Sequence, residues 1–105
     1  MNCIIKNLYR KLTQKQDNLV IPENAFLVDV RTAAEFAEGS VENAINIPLD
    51  QIEEELHQFD NKKNIVVFCK SGMRSERAKD ILIEHGFSDT INGGGYQAVI
   101  DHLKK

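Results

Sequence analysis

Ile65-Val-Val-Phe-Cys-Lys-Ser-Gly-Met-Arg-Ser75 is an apolar run that ends on a thiol and opens into a polar, helix-prone segment. Ile65, Val66, Val67 and Phe68 are β-branched or aromatic, the composition of a strand buried inside a parallel sheet. From Arg74 to His85 the spacing of Ala78, Ile81, Leu82 and His85 is helical, and Gly86 closes that helix. Cys69 is therefore predicted at the carboxyl end of a strand, facing the amino end of a helix, where open α/β sheets place their ligands. Unpaired backbone N–H groups and the positive end of the helix dipole converge there and favour a thiolate.

Outward from this stretch, Phe26-Leu-Val-Asp-Val30 reads as a buried strand with Asp29 intruding near its end. Thr32 and Glu35 have the spacing of a capping box, so a short helix is expected there, stopping at Gly39. Ala44 to Ile47 is a brief strand ended by Pro48. Asp50 and Glu53 repeat the cap signal, and Leu49, Ile52, Leu56 and Phe59 mark one face of a helix running to Phe59. After the Cys69 helix come a short strand, Thr90 to Asn92, the glycine triplet Gly93 to Gly95, and a last helix from Tyr96 to Leu103. Ahead of all this, Ile4, Ile5, Leu8 and Leu12 give residues 3–15 the pattern of an amphipathic helix. Residues 1–19 are thus expected to form a helical extension to a domain spanning 20–105.

Strands alternating with helices, without two-residue hairpin turns, predict an α/β fold: a parallel sheet covered on both faces. Right-handed crossovers put every strand-to-helix loop on one rim. Asp29 and Arg31, the Cys69 loop and the glycine triplet should therefore meet.

The chain's 105 residues allow one domain with one core. A net charge of −3 without a lysine or arginine cluster argues against a nucleic-acid partner. The amino end breaks its apolar stretch at Lys6, short of the core of a secretory signal, and no later stretch reaches transmembrane length. Two cysteines, Cys3 and Cys69, make no disulfide framework, so a reducing, cytoplasmic compartment is expected. No metal-ligand spacing is present, and His57, His85 and His102 fall on helical segments or the tail.

In Cys69-Lys-Ser-Gly-Met-Arg74, Gly72 permits a backbone that curls its N–H groups inward as an anion nest. Lys70 and Arg74 add positive charge without supplying a base. Arg74 opposes the dipole of the helix it begins, which calls for an anionic partner. Lowering a thiol from about 8.5 to about 7 raises its thiolate fraction at neutral pH from roughly 3% to roughly half. No histidine lies close in sequence to Cys69, so chemistry whose leaving group needs no proton is favoured over a Cys–His pair. Sulfur transfer meets that condition. Asp29 and Arg31 read as a pair that braces the loops rather than as substrate ligands, because an unpaired carboxylate would repel an anion.

From about Val20 to Leu103 the chain resembles single-domain rhodaneses. The resemblance is carried by Leu27-Val-Asp-Val-Arg31 with Glu35-Phe36, by Ala44-Ile-Asn-Ile-Pro48, by Cys69-x-x-Gly72-x-Arg74-Ser75 and by Gly94-Gly95, in that order. It implies a three-layer fold around a five-stranded parallel sheet, a persulfide on Cys69, and no cofactor. It further implies donor binding by Lys70, Ser71, Gly72, Met73, Arg74 and Ser75, with Asp29, Arg31, Gly94 and Gly95 supporting the loop. The expected partners are an anionic donor such as thiosulfate and a cyanide, thiol or protein acceptor, with no membrane involved. Rhodaneses often carry Gly-His-Ile-x-Gly-Ala where this chain has Gly39-Ser-Val-Glu-Asn-Ala44.

Three rivals share the loop. A persulfide carrier in a protein relay would use the same chemistry. Rhodanese-related phosphatases, and arsenate reductases with them, are the others; phosphatases place arginine six residues after the cysteine. Here Arg74 comes five after Cys69, and the shorter loop fits a sulfur better than a tetrahedral phosphate.

Overall fold

The structure is a computed structural model that describes residues 19–104. Strand β1 (Phe26–Asp29) leads to helix α1 (Ala33–Ala37), then to β2 (Ile45–Asn46) and to two 3-10 helices, Leu49–Glu54 and Leu56–Phe59. Strand β3 (Ile65–Cys69) enters α2 (Met73–Glu84), and β4 (Thr90–Gly95) enters α3 (Tyr96–Leu103). The strands pair in parallel in the order β2-β1-β3-β4.

Period-two alternation along each strand divides the core. Val28, Val30, Ile65, Val67 and Cys69 face one side, where Ile52, Phe59, Ala78 and Leu82 of the 3-10 helices and α2 cover them. Leu27, Val66 and Phe68 face the other side, under Val99 of α3. Val66, Val67 and Phe68 are wholly buried, each contributing about 1.5–3 kcal/mol. This is the three-layer α/β arrangement expected, and it fixes the reactive rim. Cys69 is the last residue of the central strand β3, and its side chain turns toward α2.

Three expectations need correction. The resemblance implied five strands; among the described residues the sheet has four, the same four apolar runs read from the sequence. The segment from Leu49 to Phe59 is not one helix with an Asp50 cap. It is two 3-10 helices that break at Glu55, where φ is −118°. The cause is visible in the spacing: Leu49 and Ile52, then Leu56 and Phe59, repeat every three residues, the period of a 3-10 turn. The glycine triplet is not a loop after β4 but its second half. Phe68 pairs with Gly94 and Cys69 with Gly95, after a bulge that takes up Gly93. The expected helix over 3–15, Cys3, and all but the last residue of the expected extension lie outside the described residues.

The capping box of α1 forms in full, with Thr32 and Glu35 bonding reciprocally. At the family's histidine position, Ser40 donates its hydroxyl to Asp29 Oδ2 at 2.7 Å. At the family's second glycine, Asn43 takes a left-handed φ of 72°, which asparagine tolerates better than other residues with side chains.

Candidate active site

Cys69 is buried, with 1% of its surface exposed. The loop after it curls because Gly72 adopts φ 98°, turning its N–H back onto the sulfur at 2.9 Å. A Cβ on Gly72 would also stand 3.3 Å from the Gly94 Cα, so loop and β4 are in backbone contact there. Gly95 is tighter still: a Cβ would lie 2.6 Å from the Lys70 carbonyl oxygen. The two glycines let the active loop rest directly on the β4 backbone.

Burial pushes the Cys69 thiol up, and four donors outweigh it. The Ser75 hydroxyl, 3.5 Å from Sγ, and the backbone N–H groups of Ser75, Gly72 and Ser71 hold the thiol below its ordinary value. These donors come from the turn and the first turn of α2, which has no side-chain cap and leaves its leading N–H groups for the sulfur.

The sequence-predicted residues separate into groups. Ser71, Gly72 and Ser75 converge on Cys69. Lys70 and Met73 are exposed, Met73 80% so. Arg74 is paired within the chain: its Nη1 and Nη2 bind the two oxygens of Glu35 at 2.7 and 3.1 Å. The anionic partner that its position called for is within the chain. Beside it lies a cleft of about 260 Å³ lined by Val30, Thr32, Pro48, Leu49, Asp50 and Arg74.

Asp29 and Arg31 are buried and closed on each other. Arg31 Nη2 is 2.7 Å from Asp29 Oδ2, and Arg31 Nε lies 3.0 Å from both carboxylate oxygens. Arg31 also donates to the Gly39 carbonyl and stacks 4.1 Å over the Tyr96 ring. Asn46 Nδ2 donates to the carbonyls of Asp29 and Arg31, tying β2 to the end of β1. These bonds brace the rim one strand away from the thiol.

Two residues of the site went unread in the sequence. Glu35 reads from the sequence as a helix cap and as part of the rhodanese resemblance, not as a partner of Arg74. Asn92 reads from the sequence as a strand end, yet its amide bonds Ser75, Gly94, Gly72 and Glu76.

A family model for the rhodanese-like domain matches residues 7–102, nearly the whole chain. The chain belongs to the rhodanese-like family. A rhodanese-like domain protein of Staphylococcus aureus has 32% identity and a TM-score of 0.65, covering 89% of this chain and 84% of its own. A rhodanese with anions from E. coli has 32% identity and a TM-score of 0.65 over 70% of this chain and 89% of its own. Among curated sequences, a tRNA uridine(34) hydroxylase of Yersinia enterocolitica is 33% identical over 92% of this chain. The chain spans only 29% of that relative's length. Among the described residues no helix of this rhodanese-like chain is long and apolar enough to cross a membrane.

Proposed function

We propose that the chain is a sulfurtransferase carrying sulfane sulfur as a persulfide on Cys69. The observation that carries this reading is the set of donors on the Cys69 sulfur, with Gly72 N–H at 2.9 Å, in a rhodanese-like chain. The thiolate attacks the outer sulfur of thiosulfate. A new S–S bond forms at Cys69, the donor's S–S bond breaks, and sulfite leaves with that electron pair, needing no proton. Cyanide or a thiolate acceptor then attacks the outer sulfur, and the Cys69 thiolate departs with the bonding pair. The donors that lower the thiol pKa stabilise the anionic sulfur at both stages.

The pairing of Arg74 with Glu35 bears on the alternatives. Arg74 commits one hydrogen from each terminal nitrogen to Glu35, leaving less of its fork to bracket a phosphate than an unpaired arginine would have. The same engagement favours a second reading, a carrier loaded by a protein persulfide, because Lys70 is then the loop cation without a carboxylate partner among the described residues. Steady-state turnover of thiosulfate and cyanide separates the two: stable persulfidation without turnover would select the carrier.

Intact mass after thiosulfate treatment tests the mechanism. One added sulfur is expected on the wild-type chain and none on Cys69→Ser. A wild-type chain that gains no sulfur from any persulfide or thiosulfate donor would overturn it.

A further inference from the structure

Asn92 sits in β4 and makes four hydrogen bonds with its side-chain amide. Its Oδ1 accepts from Ser75 Oγ at 2.7 Å and from Gly94 N–H at 2.8 Å; its Nδ2 donates to the Gly72 carbonyl at 3.0 Å and to Glu76 Oε1 at 2.9 Å. The backbone partners fix which end of the amide is which, since an N–H only donates and a carbonyl only accepts. Oδ1 therefore faces Ser75, and the serine must supply the hydrogen of that bond.

Ser75 is fully buried and has one hydroxyl hydrogen. With that hydrogen on Asn92, its oxygen presents a lone pair to Cys69 Sγ, 3.5 Å away. A thiol suits this arrangement, because S–H can donate to the oxygen. A thiolate does not, because two electron pairs would face each other.

We propose that Asn92 is a positioning residue that competes with the Cys69 sulfur for the single hydroxyl hydrogen of Ser75, which turns to the sulfur whenever the sulfur is anionic. On ionisation the Sγ–H bond breaks, the proton leaves to solvent and the electron pair stays on sulfur. Ser75 keeps its own hydrogen and only redirects it. Asn92 Oδ1 retains the Gly94 N–H, so no buried acceptor is orphaned by the turn. Asn92 thus restrains the thiolate when the site is at rest and holds the loop through Gly72.

The charged groups around the sulfur are accounted for. Arg74 on α2, which feels the charge on Cys69, is paired with Glu35 of α1. Asp29 and Arg31 at the end of β1 close on each other, with Tyr96 of α3 against Arg31. Glu76 of α2 bonds Asn92 and Lys79, Lys70 on the loop is exposed, and Asp50 lines the neighbouring cleft.

The proposal rests on Cys69 being the reacting sulfur, but its test uses no sulfur donor and so fails separately from the sulfur-transfer reading. Thiolate absorbance in the far ultraviolet is titrated in a Cys3→Ser chain, with Cys69→Ser as the blank. Ser75→Ala should raise the Cys69 titration by about one pH unit, the size of one hydrogen bond to an anion net of the one given up. Asn92→Ala should lower it, because the hydroxyl hydrogen is then uncontested. A purely structural Asn92 gives the opposite sign, since a loosened Gly72 weakens its N–H bond to the sulfur. Asn92→Ala at or above the wild-type value would overturn the proposal. So would an unchanged titration in Ser75→Ala, which leaves Asn92 and its backbone bonds in place and decides the matter should Asn92→Ala not fold.

Discussion

Arg74 and Glu35 join two helices across 39 positions of sequence, with Nη1 on Oε1 at 2.7 Å and Nη2 on Oε2 at 3.1 Å. The same Oε1 receives the backbone N–H and the hydroxyl of Thr32, each at 3.0 Å. One carboxylate therefore caps α1 and anchors the arginine of the active loop. Because both tasks need the ionised form, Arg74 first and Thr32 next hold its pKa down, from an ordinary 4.5 to about 2.

That depression sets a pH window. A carboxyl with a lowered folded pKa adds stability that is fully present above the unfolded value of 4.5 and is lost as pH falls through about 2. Glu35→Gln should unfold at lower denaturant than the wild type at pH 7. The difference should shrink between pH 4.5 and about 2 and vanish below that. A gap that stays constant down to the lowest pH would mean the pair contributes nothing through its charge.

Gly95→Ala should disturb the site more than its size suggests. The added Cβ would meet the Lys70 carbonyl oxygen at 2.6 Å, and that oxygen is backbone, so the loop must shift. A destabilisation of about 1–3 kcal/mol is expected, as for other overpacked positions. The Cys69 alkylation rate at neutral pH should fall with it as the N–H donors leave the sulfur. Urea unfolding and alkylation kinetics read the two effects, and an unchanged alkylation rate would show that the loop does not depend on this contact.

What the chain discloses in advance depends on how far apart the partners are. Strands β1 to β4 were legible because β-branched runs such as Ile65 to Phe68 have few other uses, and Cys69 was legible because it ends one. The capping box of Thr32 and Glu35 was legible because it is local. The link from Glu35 to Arg74 was not, since capping already explained the glutamate and the fold alone brings α1 to α2. Asn92 was hidden for a related reason. An asparagine ending a short strand before three glycines carries no sign of its partners, and only the fold brings its amide to Gly72 and Ser75. The break at Glu55 lay in the three-residue spacing, but the flanking cap signals at Asp50 and Glu53 read as one α-helix.

Asp29→Asn should be costly although it lies off the thiol. Asp29 is fully buried, and removing its charge leaves the Arg31 guanidinium, 4% exposed, without its counterion. Breaking a buried pair from one side costs about 3–5 kcal/mol. Replacing both partners with apolar residues of similar volume should cost less than Asp29→Asn alone. Denaturant midpoints for the single and double variants check this ordering. Equal losses would indicate that hydrogen bonds to Gly39 and Ser40, rather than the ion pair, hold the rim.

The last prediction concerns how a small anion finds the sulfur. On the loop, Arg74 is neutralised by Glu35, while Lys70 is exposed and makes no ion pair among the described residues. Lys70→Ala should therefore raise KM for thiosulfate a few-fold and weaken its dependence on salt, because an exposed charge acts over about a Debye length. Glu35→Gln should do the reverse by releasing the guanidinium. Lys70→Ala should leave the pH dependence of sulfur uptake nearly unchanged, since the donors on Sγ come from Ser75, Gly72 and Ser71. Uptake should fall in proportion to thiolate as pH drops below the Cys69 value, which lies under that of an ordinary thiol. KM values for the two variants, measured across a salt series, decide it. Opposite shifts support steering by loop charge, whereas no shift in either variant would leave delivery by a protein persulfide as the route by which sulfur reaches Cys69.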